Sequence, residues 1–159
     1  MNHLEPRIRA HPFFHGMKPE HVCVAAKGAT LESFNRGEFL MHEEEPANRF
    51  FLIERGKVAV EVHEPGGLTV QVEELGVGDV LGWSWLFPPY TWHLQARALE
   101  QTSVIVINAA HVLRVAENDH ALGYEIMKRV GQIIIHRLQA ARRQLPGTSG
   151  GVGFRKLIE

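Results

Sequence analysis

The sequence predicts a mainly β protein with flanking helices, its sheet region forming a sandwich or barrel. Three observations carry this. Between Ala29 and Ile107, short β-forming runs follow one another with turn residues every eight to twelve positions. Helical periodicity occupies the segments on either side. The composition, 45% apolar and 22% charged over 159 residues, suits one folded domain with a short appendage.

The first helix is predicted from Pro19, a good first-turn residue, through Val22, Ala25 and Ala26 at helical spacing, to Gly28. Upstream, His11-Pro12-Phe13-Phe14 suggests no more than a turn. From Ala29 the period becomes that of a strand. Leu31 and Phe34 lead to the turn Arg36-Gly37-Glu38, and Phe39-Leu40-Met41 is a short strand. Glu43 to Asn48 is a polar loop. Phe50 to Ile53 is strongly β-forming and ends at Arg55-Gly56. Val58, Val60 and Val62 alternate with Ala59, Glu61 and His63 as a half-buried strand. Pro65-Gly66-Gly67 turns the chain, and Leu68, Val70 and Val72 alternate back. Leu94 to Ala98 and Val104 to Ile107 complete the sheet region.

Asn108 is placed to cap a short helix through Val115, and Asn118 or Asp119 to cap a long one over about 119–145. Leu122, Ile126, Val130, Ile133 and Leu138 recur at three- and four-residue steps, while Tyr124, Met127 and Ile135 widen the apolar surface. Twenty-five helical residues extend about 38 Å. A helix of that length that is apolar on two sides is expected to pack on its own barrel and on a second copy, so a homodimer is predicted with those five residues as its seam. Domain organisation is expected as 1–145 with a flexible tail at 146–159.

Composition also excludes classes. Lys plus Arg is 17 and Asp plus Glu is 18, a net charge of -1, so direct DNA binding is not expected. Lys128, Arg129, Arg137, Arg142 and Arg143 give the long helix a basic side, expected to be solvated or to face a partner. The single cysteine, Cys23, excludes a disulfide framework and multi-cysteine metal sites. No signal peptide or membrane span is visible, and a cytoplasmic location is the default. None of the ten histidines forms H-x-H or H-E-x-x-H, and no P-loop, G-x-G-x-x-G or nucleophile elbow is present. The chain is therefore expected to be non-catalytic, with no cofactor and no metal.

The densest concentration of unusual residues is Gly82-Trp83-Ser84-Trp85-Leu86-Phe87-Pro88-Pro89-Tyr90-Thr91-Trp92-His93, which holds all three tryptophans. Such aromatics can stack on a flat ring, grip a partner or fill a cavity. Arg97 shares a strand face with His93 and Gln95. Its expected role is structural, in an ion pair with Asp79 or a nearby Glu.

Several segments, in order, carry a resemblance. Phe34-Asn35-Arg36-Gly37-Glu38-Phe39-Leu40, then Glu45 to Val58, then Leu75-Gly76-Val77-Gly78-Asp79-Val80-Leu81-Gly82, then Gln95-Ala96-Arg97-Ala98-Leu99 together resemble the cyclic-nucleotide-binding domain of the Crp/Fnr regulators. The resemblance covers about residues 11–145. It implies a jelly-roll β-barrel with a long C-terminal helix, a role in signal transduction, and a nucleotide pocket built around Gly82. Two departures stand out. The family places Glu after that Gly to hold the ribose, and an Arg five residues before the strand Arg to hold the cyclic phosphate, followed by Ser or Thr. Here those positions are Trp83, Trp92 and His93. An indole cannot replace a guanidinium fork, whose charge-assisted contact is worth about 1.5–3 kcal/mol.

Gly82, Trp83, Ser84, Trp92 and His93 are thus the candidate pocket residues, either plugging it or reshaping it for another small molecule. The family's DNA-binding members continue into a helix-turn-helix domain, and the 13 residues after Pro146 are too few for one. The expected function is a sensory or accessory module acting as a homodimer on a partner protein. The resemblance extends to stand-alone domains that accompany multi-subunit oxidoreductases. The alternative is a ligand-gated regulator that signals to transcription through a partner. Haem-binding relatives make His11, His15 and Cys23 ligand candidates in principle.

Overall fold

The computed structural model describes residues 3–144; the tail expected at 146–159 lies outside the described residues. Two short helices, α1 (Glu5–Ala10) and α2 (Pro19–Ala26), precede eight strands: β1 (Thr30–Phe34), β2 (Phe39–Met41), β3 (Arg49–Arg55), β4 (Val58–His63), β5 (Thr69–Leu75), β6 (Val80–Leu81), β7 (Gln95–Ala98) and β8 (Thr102–Asn108). A 3-10 turn, Ser84–Leu86, separates β6 from β7. Helices α3 (Ala109–Asn118) and α4 (His120–Gln144) follow. The strands form two four-stranded antiparallel sheets, ordered β1-β8-β3-β6 and β2-β7-β4-β5, which face each other as a jelly roll.

Helix α1 lies outside the elements the sequence predicts. Its signals are Leu4 and Ile8 one turn apart, both buried, and a proline in the first turn. Arg7 pairs with Glu54 and so fastens α1 to β3. The capping expectations are met in detail. The Asn108 side chain accepts from the His111 amide at 3.1 Å, and Asp119 Oδ1 accepts from the Leu122 amide at 3.2 Å.

The core is continuous, with Phe50, Phe51, Leu52 and Ile53 of β3 wholly buried between the helices and the opposite sheet. Strand β3 is central in its sheet, which explains an unbroken apolar run instead of alternation. Strand β4 departs from the half-buried pattern: only His63 is exposed. It lies between β7 and β5, and its outward Glu61 is covered by Gln95 and Arg97 of β7. Strand β5 departs in the other direction. Leu68 and Val70 are exposed because β5 is a sheet edge and the ladder slips between Val60 and Glu61, so the hairpin projects past the core.

Helix α4 has two apolar faces. Leu122, Ile126 and Val130 are buried in the chain's own core, so these three cannot form a seam with a second copy. Ile133 also packs on that core and Leu138 is half-buried. The outer face presents Tyr124, Met127 and Ile135, each about half exposed or more. Two of the arginines assigned to a solvated side turn inward instead. Arg129 donates to the carbonyls of Phe13 and His15, and Arg137 to the carbonyl of Val80. A guanidinium can hold backbone carbonyls that an adjacent element leaves unpaired.

Candidate functional site

The site is built where β6 ends and the chain turns toward β7. Gly82 has φ +98°, a conformation that L side chains rarely adopt. A Cβ there would also lie 2.8 Å from Trp92 Cη2 and 2.9 Å from Cζ3. The close approach of the indole to bare backbone therefore requires glycine at 82. Trp92 is only 4% exposed. Its backbone is pinned from both sides: its amide donates to Glu45 O at 3.0 Å and its carbonyl accepts from the Glu44 amide at 2.8 Å.

Gly82, Trp83, Ser84, Trp92 and His93 do come together, lining one recess with Met41, Val60, Leu81, Leu94 and Arg137. The free volume within it is about 20 Å³, room for about one water and far below the roughly 300 Å³ at which small-molecule sites begin. Trp83 is half-buried, Ser84 is buried in the 3-10 turn, and His93 is exposed at the rim. Trp85, third of the clustered tryptophans, is not in the recess. It stacks on Phe50 with centroids 5.1 Å apart and donates its indole N–H to Gly82 O at 3.3 Å. It thus braces the glycine from the core side.

Arg97 does not meet Asp79. Its Nε and Nη2 bind both oxygens of Glu61 at 3.1 and 3.0 Å. Asp79 instead accepts the Gly76 amide at 2.8 Å and closes the turn into β6. The bidentate contact with Arg97 holds the Glu61 carboxyl below the usual carboxylate range. Glu61 is 5% exposed, and Gln95 Nε2 also reaches it at 3.4 Å. This cluster lies on the outer face of β4 and β7, away from the recess.

Sequence reasoning did not single out a larger space beside the recess. A cavity of about 360 Å³ opens between α4 and the β5–β6 turn, lined in part by Glu73, Asp79, Arg129 and Arg137. Arg137 forms a wall of both this cavity and the recess. Its Nε lies 3.3 Å from Glu73 Oε2. Burial raises the Glu73 carboxyl and lowers the Arg137 guanidinium from their ordinary values, and their mutual attraction opposes both shifts. The only sequence trace of this space was the basic side of α4.

Among the described residues, no three His, Cys, Asp or Glu side chains converge into a metal-holding group, and no helix is long and apolar enough to cross a membrane. His11 is buried with its Nδ1 accepting the Phe13 amide at 3.2 Å, while His15 and Cys23 are exposed.

The cyclic nucleotide-binding domain family matches residues 31–119. No curated protein matches the chain by sequence. A solved structure from Geobacter metallireducens GS-15, described as a cyclic nucleotide-binding protein, is 28% identical over 84% of this chain and 97% of that one, with a TM-score of 0.76. A cyclic nucleotide-binding domain from Methylobacillus flagellatus is 18% identical over 95% of this chain and 88% of that one, with a TM-score of 0.79. The Catabolite Activator Protein of Thermus thermophilus is 21% identical over 84% of this chain and 61% of its own length, with a TM-score of 0.65. The family match spans more than half of the residues, and by it this chain belongs to the cyclic nucleotide-binding domain family.

Proposed function

We propose that this chain is a non-catalytic sensory or regulatory module whose family pocket is closed by its own side chains, and that it acts as a homodimer through contacts with a partner protein. The observation that carries the closed pocket is Trp92 on Gly82, with about 20 Å³ left beside them. A cyclic nucleotide needs more than ten times that space, and no guanidinium stands at position 92 to meet its phosphate.

The homodimer rests on the outer face of α4. Tyr124, Met127, Gly131, Ile135 and Leu138 recur at three- and four-residue steps, as in a two-helix seam. A Cβ at Gly131 would meet nothing within 4 Å, so a facing helix can approach closely there. Of the original five, only Leu138 belongs to this revised seam.

Titration of the full chain with cAMP and with cGMP tests the closed pocket, read by tryptophan fluorescence and melting temperature. No saturable change in either is expected at micromolar nucleotide. A saturable response would overturn the reading. The double variant Trp83→Glu, Trp92→Arg both unplugs the recess and restores the two missing ligand groups, so it should gain cyclic-nucleotide affinity.

A further inference from the structure

We propose that the cavity between α4 and the β5–β6 turn is a binding site for a free α-amino acid with an apolar side chain, separate from the closed family pocket. The argument begins with size. About 360 Å³ sits at the lower end of small-molecule sites and suits a metabolite of amino-acid dimensions. Trp92 does not enter it, so closure of the recess leaves it open.

The walls then define the chemistry. The α4 wall carries Arg137, whose Nη2 donates to Val80 O and whose Nε forms an ion pair with Glu73 Oε2 at 3.3 Å. Its Nη1 has no partner among the described residues and is free for a carboxylate. The opposite wall carries Asp79 at the rim, whose Oδ2 accepts from the Gly76 amide while Oδ1 remains available for an ammonium group. Glu73 adds a second acid on that side. Arg129 and Arg137 against Glu73 and Asp79 leave the lining formally neutral. Such a lining offers a polyanionic nucleotide no surplus cation. A zwitterion, with its two charges a few ångströms apart, matches one group on each wall. Phe13, Leu75 and Ile133 provide the apolar floor for its side chain.

Occupancy would tie α4 to the turn that leads into the recess, because Arg137 belongs to both. The ligand would thereby act on the same helix that carries the outer apolar face.

The test uses the full chain and L-leucine, L-methionine and L-phenylalanine as probes, with hexanoate and hexylamine as single-charge controls. Calorimetric titration and melting temperature are the readouts. At least one amino acid should bind saturably in the micromolar to millimolar range and raise the melting temperature, with both controls at least tenfold weaker. Asp79→Asn, which keeps an acceptor for Gly76, and Arg137→Gln should each weaken binding at least tenfold. Gln132→Phe fills the cavity from its exposed rim and should abolish binding without touching either charge, which covers the case of Arg137→Gln failing to fold. Silence of all three amino acids, equal binding of the controls, or unchanged affinity in Asp79→Asn and Gln132→Phe would each overturn the proposal. Cyclic-nucleotide binding would overturn the closed-pocket reading and leave this one standing, so the two failures are distinguishable.

Discussion

The Trp92 indole rests on the bare Cα of Gly82, close enough that a single added methyl would lie 2.8 Å from the ring. Gly82→Ala therefore combines backbone strain at φ +98° with overpacking, and a loss of about 2–4 kcal/mol is expected in urea unfolding. Trp92→Ala should cost about 3–5 kcal/mol by leaving a cavity. The double variant should lose less than the sum, since the alanine at 82 no longer meets the ring. Additive losses would show that the two residues do not interact as described.

Glu61 and Arg97 form the second test. The carboxyl is nearly inaccessible and its partner is 37% exposed, so solvent screens part of the interaction. Arg97→Met is expected to destabilise by about 1–3 kcal/mol, mostly through the stranded carboxylate. Because Arg97 depresses the folded-state value of Glu61, the stabilisation is complete above the unfolded carboxyl value near 4.5. It is lost as pH falls through the lower folded value. Glu61→Gln should flatten that acidic limb in urea midpoints measured from pH 6 to 3.

His11 makes the opposite kind of titration. Burial lowers its folded value despite the nearby carboxylates of Glu54 and Asp79. In the pH range just below the ordinary histidine value of 6.5, the unfolded chain takes up a proton that the folded chain resists, so stability should fall as pH drops from 7.5 to 5.5. His11→Gln, which can still accept from the Phe13 amide, should show a shallower slope over this window. An unchanged slope would assign the loss to other groups.

Asp119 joins α2, α3 and α4. Its Oδ1 caps α4 at Leu122 and its Oδ2 lies 3.2 Å from Nε2 of the buried His21. Asp119→Ala should cost about 1 kcal/mol for the cap and more for the lost contact with the His21 side chain, whose Nδ1 has no partner among the described residues. Asp119→Asn retains the cap and should recover most of that loss in thermal unfolding.

The outer face of α4 predicts assembly. Light scattering at micromolar concentration should report a dimer, and Met127→Asp together with Ile135→Asp should convert it to a monomer of unchanged helical content. A monomeric parent chain would remove the homodimer from the proposed function.

What the sequence determined by itself is local and periodic. Alternating runs, turn residues and the caps Asn108 and Asp119 place every described strand but β6 and every described helix but α1, because each depends on residues within a few positions of one another. The places of Trp83, Trp92 and His93, where the resemblance implies ligand residues, were legible for the same reason. Tertiary structure alone decided what those replacements do. Only the approach of β6 to the segment before β7 shows that Trp92 occupies space over Gly82 instead of lining an open pocket. Likewise, three- and four-residue spacing on α4 marks apolar positions but not their direction. Leu122, Ile126 and Val130 face the barrel and Tyr124, Met127 and Ile135 face outward because the α3–α4 elbow sets the rotation of the helix. Arg137, read from sequence as one member of a basic side, became the shared wall of two cavities once β5 and β6 were folded beneath it. Partners of that kind are separated by dozens of residues, and no short-range pattern records them.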